Sequence, residues 1–148
     1  MKRYSQKALP KYAFIPGNAP HPMKEGGHMY EQGEPQSYPL TNGNYQDHEH
    51  FLYALDLINH KYYWEAHVYL EAIWNANNRV GDIADLMKAL IKICAGEIKL
   101  IMGQKEPATE HFKRAEELIG MLSSDFLVGI KIRELQDKHN TLEFLKIT

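Results

Sequence analysis

Cysteine is nearly absent. Cys94 stands alone in a chain of 148 residues, so no internal disulfide forms, and a domain of this length builds a core without one. Long apolar runs are missing too. The richest stretch, 86–102, is broken by Lys88, Lys92, Glu97 and Lys99, which excludes a membrane-spanning helix there. Lys2, Arg3 and Lys7 are not followed by the apolar segment of a secretory signal, and with the lone thiol this predicts a cytoplasmic location. No sign of charge dominates: 17 Lys and Arg stand against 19 Asp and Glu, a net charge of −2. That excludes the basic footprint of a sequence-independent nucleic-acid binder or of a protein held on a membrane surface. No phosphate-cradling glycine loop, serine nucleophile elbow or Cys-x-x-Cys pair occurs.

Proline is also scarce, but only after residue 44. Six of the seven prolines and five of the ten glycines precede that point. Pro10, Pro16, Pro20, Pro22, Pro35 and Pro39 each remove a backbone donor and turn the preceding residue away from helix. Pro16-Gly17-Asn18, Gly26-Gly27 and Asn42-Gly43-Asn44 are turn signals. Yet Tyr12, Phe14, Ile15, Met23, Met29 and Tyr30 lie among them, more apolar surface than a disordered tail carries. Residues 1–46 therefore read as an extended arm lying on a helical body, and 47–148 as that body, the two forming one domain.

After residue 46 the apolar period becomes helical. Asp47 is the expected N-cap of a first helix carrying Phe51, Leu55 and Ile58. A turn at Asn59-His60-Lys61, with His60 in a capping role, leads to a second helix over about 62–76. Asp82 is expected to cap a third helix that runs to about Met102, where Gly103 supplies a stop. Pro107 suits the first turn of a fourth helix, which carries Ala108, Phe112, Ala115, Ile119 and Leu122 on one face. Residues 123–129 read as a break before a short helix over about 131–139. Cys94 falls inside the third helix as a small core residue. The fold class is all-α: a bundle of four to five helices built from two helical hairpins, with the irregular Pro/Gly-rich arm packed on it.

The second helix holds the one constellation with chemical content. At about 100° per residue, Tyr63, His67, Leu70, Glu71 and Trp74 share a sector, Trp64 lies at its edge, and Glu65 points almost opposite, towards water. His67 and Glu71 are stacked one turn apart between two tryptophans, where polar groups must find partners. An imidazole and a carboxylate at i and i+4 can meet one metal ion such as zinc, and His21 and His28 of the arm could complete four ligands. Alternatively Glu71 orients His67 for general acid–base work, or the two form a hydrogen-bonded pair that pins the arm to the bundle. Tyr63, Trp64 and Trp74 would line the resulting pocket.

Tyr63-Trp64-Glu65-Ala66-His67, continuing to Glu71 and Trp74, resembles the Glu-Ala-His-Glu-x-x-Glu-x-x-Trp signature of the domain of unknown function 309 family. Leu90-Ile91-Lys92, Gly103 and Ala108 are similar to further positions of that family, and the likeness extends over roughly 51–122. The resemblance implies a compact all-α fold without an established activity, and makes His67, Glu71 and Trp74 family positions. Val68 stands where the signature has its second acid, and Lys92 replaces a glutamine. A family activity that needs that second carboxylate would be lost here.

These readings predict a non-catalytic binding or scaffold protein with a polar pocket between the arm and the second helix around His67 and Glu71. The alternative is a metal-dependent, hydrolase-like enzyme using His67 and Glu71 with His21 or His28. A homodimer in which the arm packs on a neighbouring subunit is a further arrangement the sequence allows, and the small-molecule ligand is not specified.

Overall fold

The computed structural model describes residues 2–138 and residue 147. Helix α1 (Glu49–Asn59) and α2 (Tyr63–Ala76) form one hairpin; α3 (Asp82–Ile101) and α4 (Lys105–Gly120) form a second. Each of these helices packs chiefly on its neighbour in sequence: α1 on α2, α2 on α3, α3 on α4. A two-stranded antiparallel ribbon, β1 (Phe126–Leu127) and β2 (Ile130–Lys131), then leads into α5 (Ile132–Lys138). His139, expected to end that last helix, lies outside the described residues.

Three successive helices stop in the same way. At each C-terminus a residue with positive φ turns the chain, and two backbone N–H groups return to the last carbonyls. After α1 the turning residue is Lys61 (φ 67°), with Tyr62 N–H donating to Leu57 O and Lys61 N–H to Ile58 O. After α2 it is Asn78 (φ 59°), and after α3 it is Gly103 (φ 77°), the one such stop legible as a glycine.

The helix starts depart from expectation. His48, not Asp47, caps α1: its Nδ1 accepts the Phe51 N–H at 3.2 Å. Asp82 is the first helical residue of α3 rather than its cap, and its carboxylate instead accepts the backbone N–H and hydroxyl of Ser123, 3.2 and 2.6 Å away. The expected break at 123–129 contains the first strand of the ribbon and its turn, which places Val128 and Gly129 at φ 43° and 80°. Positive φ is costly for a β-branched residue. Val128 is held there by burial and by its N–H, which donates to Asn42 Oδ1 at 2.8 Å.

Leu55, Ile58, Leu70, Ile73, Leu86, Leu90, Ile93 and Cys94 form the fully buried centre. Burial pushes the Cys94 thiol well above its ordinary pKa. On α3, Gly96 faces Phe112 of α4 so closely that a Cβ would fall 2.7 Å from the phenyl ring. Absence of a side chain there sets how near the two helices approach.

No helix or strand forms between residues 2 and 47. The arm nevertheless buries Phe14, Met29 and Leu40 against the helices, as its apolar content predicted. Among the described residues, no helix is long and apolar enough to cross a membrane.

Candidate functional site

An irregular segment packed on helices has backbone groups with no ladder to join, and each needs a partner. Here the partners are polar side chains of the bundle. Asp56 of α1, fully buried, accepts the N–H groups of Tyr4 and Ser5 (2.8 and 2.9 Å) and the Ser5 hydroxyl, with Arg3 Nε 2.9 Å away as its ion-pair partner. Burial works to raise the Asp56 pKa, but the hydrogen bonds from Tyr4, Arg3 and Ser5 outweigh it and hold the carboxyl below its ordinary value. Asn77 brackets Leu40, accepting its N–H and donating to its carbonyl, both at 2.9 Å. His48 donates Nε2–H to Tyr38 O at 2.8 Å while Nδ1 caps α1. Both ring nitrogens are thus assigned, and burial lowers the pKa and favours that neutral form.

The fourth anchor is Glu65. Expected to face water, it is 1% exposed. Its Oε2 accepts the Phe14 N–H at 2.9 Å and His28 Nε2–H at 2.6 Å. Its Oε1 is buried and has no hydrogen-bond partner among the described residues. The reason for the discrepancy lies in the helix face. Tyr63, Ala66, Tyr69, Leu70 and Ile73 are the inward residues of α2, a sector rotated from the one that Trp64 and Trp74 suggested. Glu65 sits at the edge of that true inner face, and the arm closes over it.

Glu65 and His28 border a cavity of about 530 Å³ between the arm and the α1–α2 hairpin. Lys7, Lys11, Tyr12, Tyr53 and Tyr69 also line it. Tyr12 packs its ring 4.5 Å from His28, and its hydroxyl accepts the His28 backbone N–H. Tyr53 donates its hydroxyl to Ala8 O at 2.8 Å, and Lys7 Nζ donates to the Tyr69 hydroxyl at 2.8 Å. Burial, followed by the neighbouring Tyr69, pushes the Tyr53 hydroxyl pKa up to about 12.

His67, Glu71 and His21 do meet, in a separate groove of about 220 Å³ on the outer side of α2, with Trp64, Glu34 and Asn75. His28 does not join them, because its imidazole is engaged with Glu65. His67 is half-buried and Glu71 exposed, so neither is enclosed as expected between tryptophans. The His67 ring bonds through Nδ1 to the Trp64 carbonyl, not to Glu71. A carbonyl only accepts, so Nδ1 carries the proton and neutral Nε2 is left with a lone pair. In His21 the tautomer is opposite: Nδ1 accepts the Met23 N–H at 3.1 Å, which puts the proton of a neutral ring on Nε2 and removes that nitrogen as a ligand. His21 instead stacks edge-on to Trp64, 5.2 Å between centroids. Among the described residues, no three His, Cys, Asp or Glu side chains are grouped to hold a metal ion.

The remaining predicted lining residues lie elsewhere. Tyr63 is buried, and its hydroxyl pKa is raised to about 12 by burial and then by Glu97 and Cys94 of α3. Trp74 lines neither cleft; Arg79 and Lys88 sit over its ring at 5.0 and 5.9 Å. Asp56, Glu65, Lys7, Tyr53 and Tyr69 were not singled out from sequence. One signal was present for Glu65: it is an acid of the Glu-Ala-His motif on a helix whose neighbouring arm lacks regular hydrogen bonding.

Two helical hairpins, strapped by an irregular arm whose backbone is held by buried side chains, define an all-α protein with polar clefts on both sides of its second helix. Residues 51–110 match the family model described as Domain of unknown function (DUF309). The match runs from α1 to the first turns of α4; it includes Glu65, His67, Glu71 and Trp74, and leaves out the arm with His21 and His28. No curated protein and no solved structure matches the chain significantly.

Proposed function

We propose that the protein is a non-catalytic binding protein whose ligand enters the cavity between the arm and the α1–α2 hairpin, with arm and bundle acting as one domain. The polar centre of this site is Glu65 with His28, rather than His67 with Glu71. The observation that carries the reading is Glu65 itself. A carboxylate 1% exposed, with one oxygen lacking a hydrogen-bond partner among the described residues, borders a cavity large enough for a small molecule. Aromatic walls and a few convergent polar groups are the usual make-up of such sites.

A thermal-shift survey of small charged and aromatic metabolites tests this reading. A true ligand raises the melting temperature in proportion to the logarithm of its concentration above Kd. A lining substitution at the exposed Lys11, Lys11→Glu, is expected to change that response without lowering the melting temperature of the free protein. No stabilising compound, together with an unaltered profile for Lys11→Glu, would contradict the assignment.

A second reading keeps the outer groove as a metal site, because His67 Nε2 is left with its lone pair free and Glu71 lies one turn away. Elemental analysis of protein purified without a metal-affinity tag decides it. Stoichiometric metal that is lost in His67→Ala supports the site; metal-free protein dismisses it.

A further inference from the structure

The wall of the Glu65 cavity nearest the start of the arm has a particular shape. Tyr53 of α1 and Tyr69 of α2 are both buried, and their rings stand 5.1 Å apart at 85°, forming two sides of a corner. Lys7 of the arm places its ammonium 4.8 Å from the centre of the Tyr53 ring and 5.1 Å from that of Tyr69. Its one hydrogen bond among the described residues is to the Tyr69 hydroxyl, and no carboxylate there lies within ion-pair distance of it.

We propose that this corner is a binding site for an organic ammonium ion, and that Lys7 occupies it as a built-in stand-in which the ligand displaces. The proposal rests on the reading of this cavity as a ligand site and adds the chemical class of the ligand. Aromatic faces carry negative potential and attract cations, and two faces meeting at an angle surround one charge. The walls belong to packed helices and are fixed by the core. The occupant, by contrast, comes from an exposed residue on a segment without regular structure. That division matches a preformed cage holding a replaceable guest. Beyond the cage the same cavity is lined by Glu65 and Glu31, two acids with which Lys7 makes no ion pair among the described residues. The remaining volume, about 530 Å³, has room for the organic part of a ligand. Lys11 on the arm side of the cavity is the competing influence, because with Lys7 and His28 it would favour an anion instead.

Three probes with the same chain and different heads separate these outcomes: n-butylammonium, n-butanol and butyrate, each titrated into the full chain and followed by NMR. The ε-methylene protons of Lys7 lie over the two rings and should start at ring-shifted positions. Butylammonium is expected to move them towards their solvent-exposed values, and Lys7→Ala should bind it about twofold to fivefold more tightly than the parent. Tyr69→Phe, which keeps the ring, should still bind. Preferential binding of butyrate, or equal binding of butanol, overturns the ammonium assignment while leaving the ligand site standing. Unchanged affinity in Lys7→Ala overturns the stand-in role. Failure of all three probes to bind either protein overturns both the cation site and the reading on which it rests.

Discussion

Glu65 makes the most demanding prediction, because one carboxylate oxygen serves two donors from the arm. In Glu65→Gln the amide oxygen can take the place of Oε2 and still accept from Phe14 N–H and His28 Nε2–H. What is lost is the charge assistance, about 1 kcal/mol for each bond, so the expected destabilisation is about 2 kcal/mol. Glu65→Ala removes the acceptor altogether. It leaves a buried amide and an imidazole unpaired beside a void, at an expected cost of about 3–5 kcal/mol. That cost has a ceiling, since the arm can lift away and hydrate the orphaned donors. Urea unfolding followed by fluorescence of Trp64 and Trp74 measures the global loss, and trypsin cleavage at Lys11 and Lys24 reports arm release. The expected order is parent, Gln, Ala in stability, with cleavage accelerating in the same order. A Glu65→Ala protein within about 1 kcal/mol of the parent, with its arm still protected, would refute the claim that Glu65 pins the arm.

Asp56 should make the start of the arm sensitive to acid. Its carboxyl pKa is lowered in the folded protein, so its contribution is complete above the ordinary carboxylate range and is lost as pH falls through the lowered value. The protection of the Tyr4 and Ser5 amides, measured relative to the intrinsic exchange rate at each pH, should therefore fall on acidification, and Asp56→Asn should abolish that dependence. Gly96→Ala should cost about 1–3 kcal/mol in thermal or urea unfolding, because its methyl group would strike the Phe112 ring; a neutral effect would mean the helices separate freely. Cys94, fully buried and with its thiol pKa raised, should resist iodoacetamide in native protein and react fully in denaturant.

Helix boundaries were largely legible because they are written locally. The second helix was expected over 62–76 and spans 63–76; the third was expected to end near Met102 and ends at Ile101. Both depend on apolar period and on stops such as Gly103. The cap of α1 was less legible, since His48 works as a cap only because Tyr38, ten residues earlier, takes its other nitrogen. The burial of Glu65 was illegible for a related reason. The two tryptophans drew the apolar reading of α2 to one side; Tyr63 and Leu70 belong to both faces, but the observed inner face continues through Ala66, Tyr69 and Ile73 instead of His67, Glu71 and Trp74. Glu65 is buried by Phe14 and His28, 51 and 37 residues away, and periodicity within a helix carries no information about such partners. Of the two arm histidines expected beside His67 and Glu71, His28 instead meets a different acid, Glu65.

The anchors of the arm also order events in time. Helix-to-helix packing in this protein joins neighbours in sequence, whereas the arm's bonds to Asp56, Glu65, Tyr69 and Asn77 join residues 37 to 62 positions apart. Closing loops of that length before the hairpin exists would be unrewarded, since Asp56, Glu65 and Asn77 present a coherent docking line only once α1 and α2 are packed. During synthesis the arm leaves the ribosome before the helices it docks on and must wait for the second helix to be made. Its six prolines keep it from settling into helix of its own meanwhile. Arm residues, although translated before α1 and α2, thus reach their native positions only after that hairpin has formed.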